Sequence, residues 1–526
     1  MAYAVSEMNP RRASSLSLPL VGSLLSITLC AACGGGEVQA AARKNVLIVA
    51  LDTLRPDHLG FYGYDRDTSP ALDAFAADFT VFDNAHTVAP WTAPSLISLM
   101  TSLYPDAHDV KASPDPGLLS DDVLTLAEAL KTVGYRTGAF TEGGYAKPDF
   151  GLGQGFDTYP GNPGDETGFT SNRRYPSRLA ANVDRCLAWM GEASEEPFLC
   201  FFQTYEPHSP YQAPTEIVRR YIPDFDEEAD HARLAQAVEM WNQEAEVSDA
   251  DLRLFQRHLM HCDLRGLPKI DDPRALRDQS RVQGISLFHG EVSSSPGMSE
   301  WYTDLYDAEI SFADGELARL WSFLEQGGLA DDTIVILVSD HGEALGEHGD
   351  IGHGRSLFNE LTRILFAARV PGLEQVDRSA EPVSLVDVMP TVLDLLGVPS
   401  AGLGLHGQSF ASLLVGGTGD PQRPLFSHAT LKKEHPQHAV RQGDWCLIVD
   451  DLSGETELYD LAQDPGETTN VTALHPERTS RMLKLLRSRS GVDKTLAAEL
   501  NIGRTDTELS DESRAELRAL GYIGAD

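Results

Sequence analysis

The stretch NVLIVALDT, residues 45–53, decides the predicted fold. Its unbroken apolar run favours a strand buried on both faces, which is the environment of a parallel sheet. Two later runs have the same character, PFLCFF at 197–202 and TIVILV at 333–338. Helical apolar spacing precedes each of them, at 180–190 and 301–326. Strands alternating with helices predict an α/β fold, a large and mostly parallel sheet sandwiched by helices.

Polar residues follow each predicted strand. Asp52 comes after the first strand, the group 203–208 after the second, and Asp340 with His341 after the third. Parallel strands end at one edge of their sheet, and open sheets of this type bind ligands there. We therefore predict that these residues share one site.

Thr92 lies in the stretch PWTAPSLISLM, residues 90–100, whose apolar residues recur at helical spacing. Pro94 suits a first helical turn, so Thr92 stands at or just before the N-terminus of a short helix. On this stretch alone a helix cap is the commoner role for a threonine. A helix N-terminus also favours anions, so the alternative role of the hydroxyl is that of a nucleophile. The three converging strand ends favour the nucleophile.

The predicted site has the chemistry of a metal centre. Asp52, Asp340 and His341 offer oxygen and nitrogen ligands for a divalent cation, and Thr92 Oγ1 completes the set. The oxygen-rich donors favour calcium, magnesium or manganese, and His341 leaves zinc open. Such a cation lowers the pKa of the hydroxyl and neutralises the attacked group, so the predicted substrate is an ester of an anionic acid.

Two further histidines are candidates for contact with the substrate or the leaving group, His208 and His353. His353 belongs to the segment 340–354, which is too dense in His, Glu and Gly for a plain connecting loop. Within it we rank His341 and His353 above His348 as functional residues.

The composition is that of a folded acidic protein. The 526 residues are 42% hydrophobic and 23% charged, with a formal net charge of -37. Such a charge disfavours nucleic acid and anionic lipid as partners. It leaves the oligomeric state open.

The first residues are typical of an export signal. Residues 1–33 combine two arginines, a short apolar run and small residues before Cys33, with a glycine tract after it. This pattern predicts a bacterial lipoprotein signal with lipid on Cys33, and ordinary signal cleavage nearby is the alternative. Residues 34–44 are a linker. The expected location is periplasmic or at the cell surface, with the lipid anchor as the membrane contact.

Two domains are predicted after the linker. Residues 45–400 form the catalytic domain, and within it 216–299 is a charge-rich insertion with helices at 230–244 and 249–261. We read the insertion as a lid over the strand ends or as a solvated helical decoration. Residues 401–526 form a C-terminal subdomain with antiparallel strands at 422–428, 438–450 and 456–461 and a last helix at 512–520.

Motifs spread along the chain resemble a known family, the sulfatase branch of the alkaline phosphatase superfamily. They are the stretch 45–60 and the groups at 134–137, 155–157, 206–208, 306–310, 339–343, 386–391 and 457–470. The resemblance implies the helix-sandwiched sheet and a small C-terminal sheet domain. It implies Asp52, Asp340 and His341 as metal ligands. It also implies His208 as a substrate-binding residue, and His353 where the family has a Lys or His near the leaving group.

The sequence departs from this family at the residues that handle the anion. Thr92 stands where sulfatases carry the Cys or Ser that is oxidised to formylglycine, and Leu96 stands where they carry an Arg. Glu142 and Gly144 lie near the places of a Lys and a His, and Thr53 replaces a second Asp of many members. Threonine cannot form that aldehyde, so no formylglycine is expected.

The combined prediction is an exported, metal-dependent hydrolase of a sulfate or phosphate ester. In relatives that cleave phosphodiesters and phosphonates, a threonine oxygen attacks directly and forms a phospho-threonine. Thr92 therefore favours phosphodiester or phosphonate substrates, carried by a small molecule, a glycan or a lipid. The alternative is a catalytically impaired, sulfatase-like lipoprotein that binds a metal or ligand, since basic anion contacts are missing.

Overall fold

The computed structural model describes residues 44–111, 116–161, 178–192, 196–243, 247–261, 297–430, 436–500 and 502. The predicted signal, nearly all of the linker and the helix at 512–520 lie outside these residues. None of the helices that are described combines the length and apolar character needed to cross a bilayer.

The central sheet contains seven strands within the described ranges. They are β1 (Asn45–Leu51), β2 (Thr80–Phe82), β4 (Arg136–Phe140), β5 (Phe198–Thr204), β6 (Thr333–Ser339), β9 (Phe366–Arg369) and β10 (Arg378–Ser379). Their spatial order is β10-β2-β9-β6-β1-β5-β4. Only β9 of these runs antiparallel to its neighbours. The predicted mostly parallel α/β sheet is confirmed.

The unbroken apolar run of β1 follows from its central position. Val46, Ile48 and Ala50 face one hydrophobic core, and the alternating residues Leu47 and Val49 face a second core on the other side of the sheet. Helices Thr92–Thr101, Leu126–Lys131 and Val388–Leu395 cover the first core, and Arg178–Gly191 and Met298–Gln326 cover the second. Both faces of the sheet are therefore buried at β1, so its apolar residues do not alternate with polar ones.

The remaining short elements connect these layers. They are helices Pro70–Ala76, Pro105–His108 and Asn359–Thr362, and strands β3 (Ala85–His86), β7 (Ala344–Leu345), β8 (Ile351–Gly352) and β11 (Val383–Ser384). Helix Leu126–Lys131 begins where Thr125 and Glu128 form a capping box.

The insertion is helical in its described part, as predicted. It contains Thr215–Tyr221, Glu227–Asn242 and Asp249–His261. The second helix begins before the predicted residue 230, because Asp226 Oδ1 accepts a hydrogen bond from the Ala229 N–H at 3.1 Å. The last two helices share a small hydrophobic cluster, distinct from the two sheet cores. Its role as a lid or a surface decoration stays a prediction.

The C-terminal part contains the predicted antiparallel sheet, built from β12 (Leu425–Ala429), β13 (Gln437–Gln442), β14 (Trp445–Asp450) and β15 (Thr456–Asp460). The segment 438–450 is a hairpin rather than one strand, because the chain turns at Gly443, where φ is +56°. Helix Pro476–Glu499, which the sequence reading missed, packs on this sheet through Met482 and Leu486.

Candidate active site

The predicted metal ligands meet where β1 and β6 end. These strands are paired, with Leu51 opposite Ser339, so Asp52 and Asp340 leave the sheet side by side. Ligand atoms of Asp52, Asp340 and His341 lie within 4.8 Å of one another, and all three residues are buried. The structure thus brings together the three residues that sequence reasoning selected.

Three atoms of this group are buried without a hydrogen-bond partner: Asp52 Oδ1, Asp340 Oδ2 and His341 Nε2. His341 Nε2 lies 3.4 Å from Asp52 Oδ1 and 3.6 Å from Asp340 Oδ2. His341 Nδ1 lies 2.9 Å from the Gly342 carbonyl oxygen, which can only accept, so Nδ1 carries the hydrogen and Nε2 presents its lone pair. Buried polar atoms without partners are destabilising, and a divalent cation between them satisfies all three. The residues fit a metal.

The local electrostatics agree with a cation at this place. Burial, and then the neighbouring Asp340 carboxylate, raise the pKa of Asp52 well above its ordinary value. Burial raises the pKa of Asp340 and lowers the pKa of His341 to about 4. Protein atoms alone therefore disfavour two ionised carboxylates here, and a bound divalent cation reverses that preference.

Thr92 is the first residue of helix Thr92–Thr101, and the extended residue Trp91 occupies the cap position. The Thr92 Oγ1 hydroxyl donates a hydrogen bond to Asp52 Oδ2 at 3.1 Å. The hydroxyl therefore lies beside the metal-ligand group, at a helix N-terminus whose partial positive charge favours an anion.

Three imidazole rings lie next to one another at this edge. The ring centroids of His341 and His353 are 4.6 Å apart, and those of His208 and His353 are 4.8 Å apart. His208 Nδ1 donates to the Ser209 carbonyl oxygen. The two predicted histidines therefore belong to the same site as the candidate metal ligands. His348 does not, since it stacks on Phe358 with ring centroids 3.7 Å apart.

Glu343 is a site residue that sequence reasoning did not select. Its Oε1 lies 3.0 Å from His353 Nδ1, and its side chain is fully buried. Burial raises the pKa of Glu343 to about 8 and lowers the pKa of His353 to about 3. The available signal was its place two residues after His341 in the segment already singled out. Sequence could not show that it points at His353.

The loop after Asp52 is held by a group from helix Met298–Gln326. Tyr306 Oη donates to the Thr53 carbonyl oxygen at 2.8 Å and accepts from the Arg55 N–H at 2.7 Å. Asp307 Oδ1 lies 2.7 Å from His58 Nδ1. Tyr306 and Asp307 therefore position the loop that follows Asp52.

Comparison with known proteins decides the family. The Sulfatase family model matches residues 44–398. This chain belongs to the sulfatase family. It is 23% identical to N-acetylglucosamine-6-O-sulfatase of Bacteroides thetaiotaomicron over 92% of this chain and 91% of that protein.

Solved structures of phosphonate monoester hydrolases share the fold of this sulfatase-family chain. The enzyme of Agrobacterium radiobacter has a TM-score of 0.62 and 21% identity, over 86% of this chain and 96% of that one. The enzyme of Silicibacter pomeroyi has a TM-score of 0.62 and 19% identity, over 85% and 95%. The family match and the relatives together show that this sulfatase-family protein is a hydrolase of sulfuric or phosphoric esters.

Two of the residues at which we predicted a departure from the sulfatase pattern, Leu96 and Glu142, are buried. Leu96 is fully buried in the first sheet core, so no cationic group is supplied from its position. Glu142 is 2% exposed, and its Oε2 accepts a hydrogen bond from the Tyr205 N–H at 3.0 Å. Its charge contributes to the raised pKa of Asp52, so a carboxylate lies in the electrostatic environment of the site.

Proposed function

We propose that this sulfatase-family protein is a metal-dependent phosphodiester or phosphonate monoester hydrolase, with Thr92 Oγ1 as the nucleophile and no formylglycine. The observation that carries the proposal is the 3.1 Å hydrogen bond from Thr92 Oγ1 to Asp52 Oδ2. It places a hydroxyl, at a helix N-terminus, beside the carboxylate of the candidate metal group. The phosphonate monoester hydrolases among the solved structures that share its fold support the same substrate class.

The metal would be held by Asp52, Asp340, His341 and Thr92 Oγ1. It would stabilise the negative charge of the attacked group and lower the pKa of the hydroxyl. Calcium, magnesium and manganese suit the oxygen donors, and zinc suits His341.

The residues of this chain divide the remaining work. Thr92 Oγ1 attacks phosphorus and passes its proton to Asp52, while the bond from phosphorus to the leaving oxygen breaks. His353 Nε2 gives a proton to that oxygen, and Glu343, 3.0 Å from Nδ1, replaces it at the ring. Water then attacks the phospho-threonine, Thr92 recovers its proton from Asp52, and the water proton returns to the His353–Glu343 pair.

The charge balance of the site favours a singly charged ester. His208 Nδ1 donates its hydrogen to the Ser209 carbonyl oxygen. Its Nε2 can therefore donate a hydrogen bond to an anionic oxygen of the substrate only when the ring is protonated. Glu142 supplies a negative charge near the place where the resemblance implies a lysine. Two negative charges on a phosphate monoester are therefore less well compensated than the single charge of a diester.

The test is a substrate panel with one leaving group: an aryl sulfate, an aryl phosphate, a diaryl phosphate and an aryl phosphonate monoester. We expect the diester and the phosphonate monoester to be cleaved fastest, and acid quenching to trap phosphoryl on the peptide that contains Thr92. Faster sulfate cleavage, or a phosphoryl group on another residue, would contradict the proposal. Metal binding with no turnover of any ester would support the catalytically impaired binding protein instead.

We further propose that the protein is exported and carries lipid on Cys33, on the strength of the sequence pattern at residues 1–36.

A further inference from the structure

A second group of metal-ligand side chains lies away from the active site, between the catalytic body and the C-terminal sheet. It consists of Asp106 from helix Pro105–His108, His428 from β12 and His438 from β13. Ligand atoms of the three residues lie within 4.8 Å of one another. The family comparison assigns no role to this group, and the proposed mechanism does not use it.

The sheet register holds the two histidines together. His428 and His438 are directly opposite partners in the antiparallel pair β12–β13, and their rings stack with centroids 3.7 Å apart. An imidazole binds zinc through a ring nitrogen that carries no proton, so the ion would displace the proton that His438 shares with Asp106.

Asp106 completes the group from the other side of the interface. Its Oδ2 lies 3.1 Å from His438 Nε2, and its Oδ1 lies 3.3 Å from His428 Nδ1. These separations match the edge of a tetrahedron whose corners are about 2 Å from a central zinc ion. Lys111 Nζ, 2.9 Å from Asp106 Oδ1, orients the carboxylate.

Both ring nitrogens of His438 have hydrogen-bond partners within the protein, whereas Nδ1 of His428 has none. His438 Nδ1 lies 2.8 Å from Asp451 Oδ2, so Asp451 fixes the ring and leaves Nε2 directed at Asp106. This is the carboxylate–histidine arrangement found behind metal ligands. His428 is 7% exposed, and its buried Nδ1 has no hydrogen-bond partner although it faces Asp106. A metal ion supplies the partner that this nitrogen lacks.

The surroundings leave room for one small ion. A cavity of about 20 Å³, the space of one water molecule or one cation, is lined by eleven residues, among them Asp106, His428, His438, Arg489 and Asp493. A tetrahedral zinc site with three protein ligands takes a water molecule as its fourth ligand, and this cavity has room for that water.

We propose that Asp106, His428 and His438 form a second metal site, which binds Zn²⁺ and fastens the C-terminal sheet to the catalytic body. Asp451 is a positioning residue that orients His438. The ion connects residues more than 300 positions apart in the chain, since Asp106 and His438 are separated by 332. This inference does not rest on the proposed function.

The experiment counts bound zinc in the full chain after metal removal, reloading with Zn²⁺ and desalting. We expect His428→Gln and His438→Gln each to bind one equivalent less than the wild type. That difference of one holds whether or not the active site takes zinc. Asp340→Asn removes an active-site ligand and reports that site separately. His475→Gln, an exposed histidine of the same subdomain, is the matched control and is expected to keep the wild-type count.

Zinc-dependent stability gives a second readout. In the Asp340→Asn background, Zn²⁺ should raise the midpoint of thermal unfolding, and adding His438→Gln should abolish that rise. Asp451→Asn keeps every ligand and should weaken zinc binding by about 10- to 100-fold, so it covers the case in which His438→Gln does not fold. Unchanged zinc counts in the folded histidine variants, or unchanged affinity in Asp451→Asn, would overturn the proposal.

Discussion

Thr92 Oγ1 donates a hydrogen bond to Asp52 Oδ2 across 3.1 Å, and this contact joins residues 40 positions apart. Asp52 directly follows β1, an interior strand of the sheet, and Thr92 begins a buried helix. The contact therefore fixes a hydroxyl against the candidate metal group through two rigid elements. A nucleophile held in this way needs little reorganisation before it attacks.

Removing this hydroxyl should abolish ester cleavage. For Thr92→Ala we expect kcat/KM to fall by at least about 10³-fold, whereas Thr92→Ser keeps an attacking oxygen and should retain part of the activity. Thr495→Ala, at an exposed position of helix Pro476–Glu499, is the control for a threonine truncation. Steady-state kinetics on the diester measure the effect. Cleavage by Thr92→Ala at the wild-type rate would assign the attack to another group.

Metal removal should also abolish ester cleavage, and so should the loss of a metal ligand such as Asp340. Chelation should eliminate activity, and restoration by separate additions of Ca²⁺, Mg²⁺, Mn²⁺ and Zn²⁺ identifies the ion. Asp340→Asn should weaken metal binding and lower kcat/KM by at least about a hundredfold. Asp121→Asn, at an exposed loop position, is the matched control. Full activity of the chelated protein would exclude a metal-dependent reaction.

Glu142 should lower the affinity for anions. Replacing it with Gln keeps an oxygen acceptor for the Tyr205 N–H and removes one negative charge near Asp52. We expect KM for the diester to fall by up to about tenfold, with a larger fall for the doubly charged phosphate monoester. Glu192→Gln, at a surface ion pair with Arg136, is the control. An increased KM for both substrates would show that Glu142 aids binding.

Asp314 gives a prediction for pH and stability. Its carboxylate accepts hydrogen bonds from the N–H groups of Ala71 and Leu72 at the start of helix Pro70–Ala76. Burial nevertheless raises its pKa from 3.8 to about 6. Between these values the folded state binds more protons than the unfolded state, so the contribution of Asp314 to stability grows as the pH falls from about 6 to 4.

The measurement compares the wild type with Asp314→Asn in denaturant unfolding across this pH range. The wild type should gain free energy of unfolding relative to the variant as the pH decreases. Glu325→Gln is the control for a surface carboxylate, since Glu325 is exposed and lies near the end of helix Met298–Gln326, which also contains Asp314. A difference that stays constant with pH, or that shrinks on acidification, would contradict the assigned pKa direction.

Cys33 should determine membrane association. In a Gram-negative host, the wild type should fractionate with membranes and incorporate labelled palmitate. Cys33→Ser should lose the label and be recovered in soluble or unprocessed form. Cys446→Ser, a change at a buried cysteine of the C-terminal sheet, is the control for cysteine replacement. Unchanged labelling of Cys33→Ser would place the lipid elsewhere or favour ordinary signal cleavage.

The sequence by itself determined the layered α/β fold and the choice of site residues. The apolar runs at 45–51 and 333–338 are local patterns, and burial on both faces requires them of any central strand. Because parallel strands end at one edge, Asp52, Asp340 and His341 could be expected to meet. Helix Pro476–Glu499 was missed, since few of its residues are buried and its apolar stripe is weak.

Only the tertiary structure decided which side chains touch. The hydrogen bond of Thr92 to Asp52, the contact of Glu343 with His353 and the meeting of Asp106 with His428 and His438 depend on side-chain direction and on packing between distant segments. The periodicity of apolar residues shows which face of a helix or strand is buried. It does not show which distant segment packs against that face. The sequence therefore selected the chemistry at the strand ends. The folded chain decided how the hydroxyl, the histidines and the second metal-ligand group are arranged.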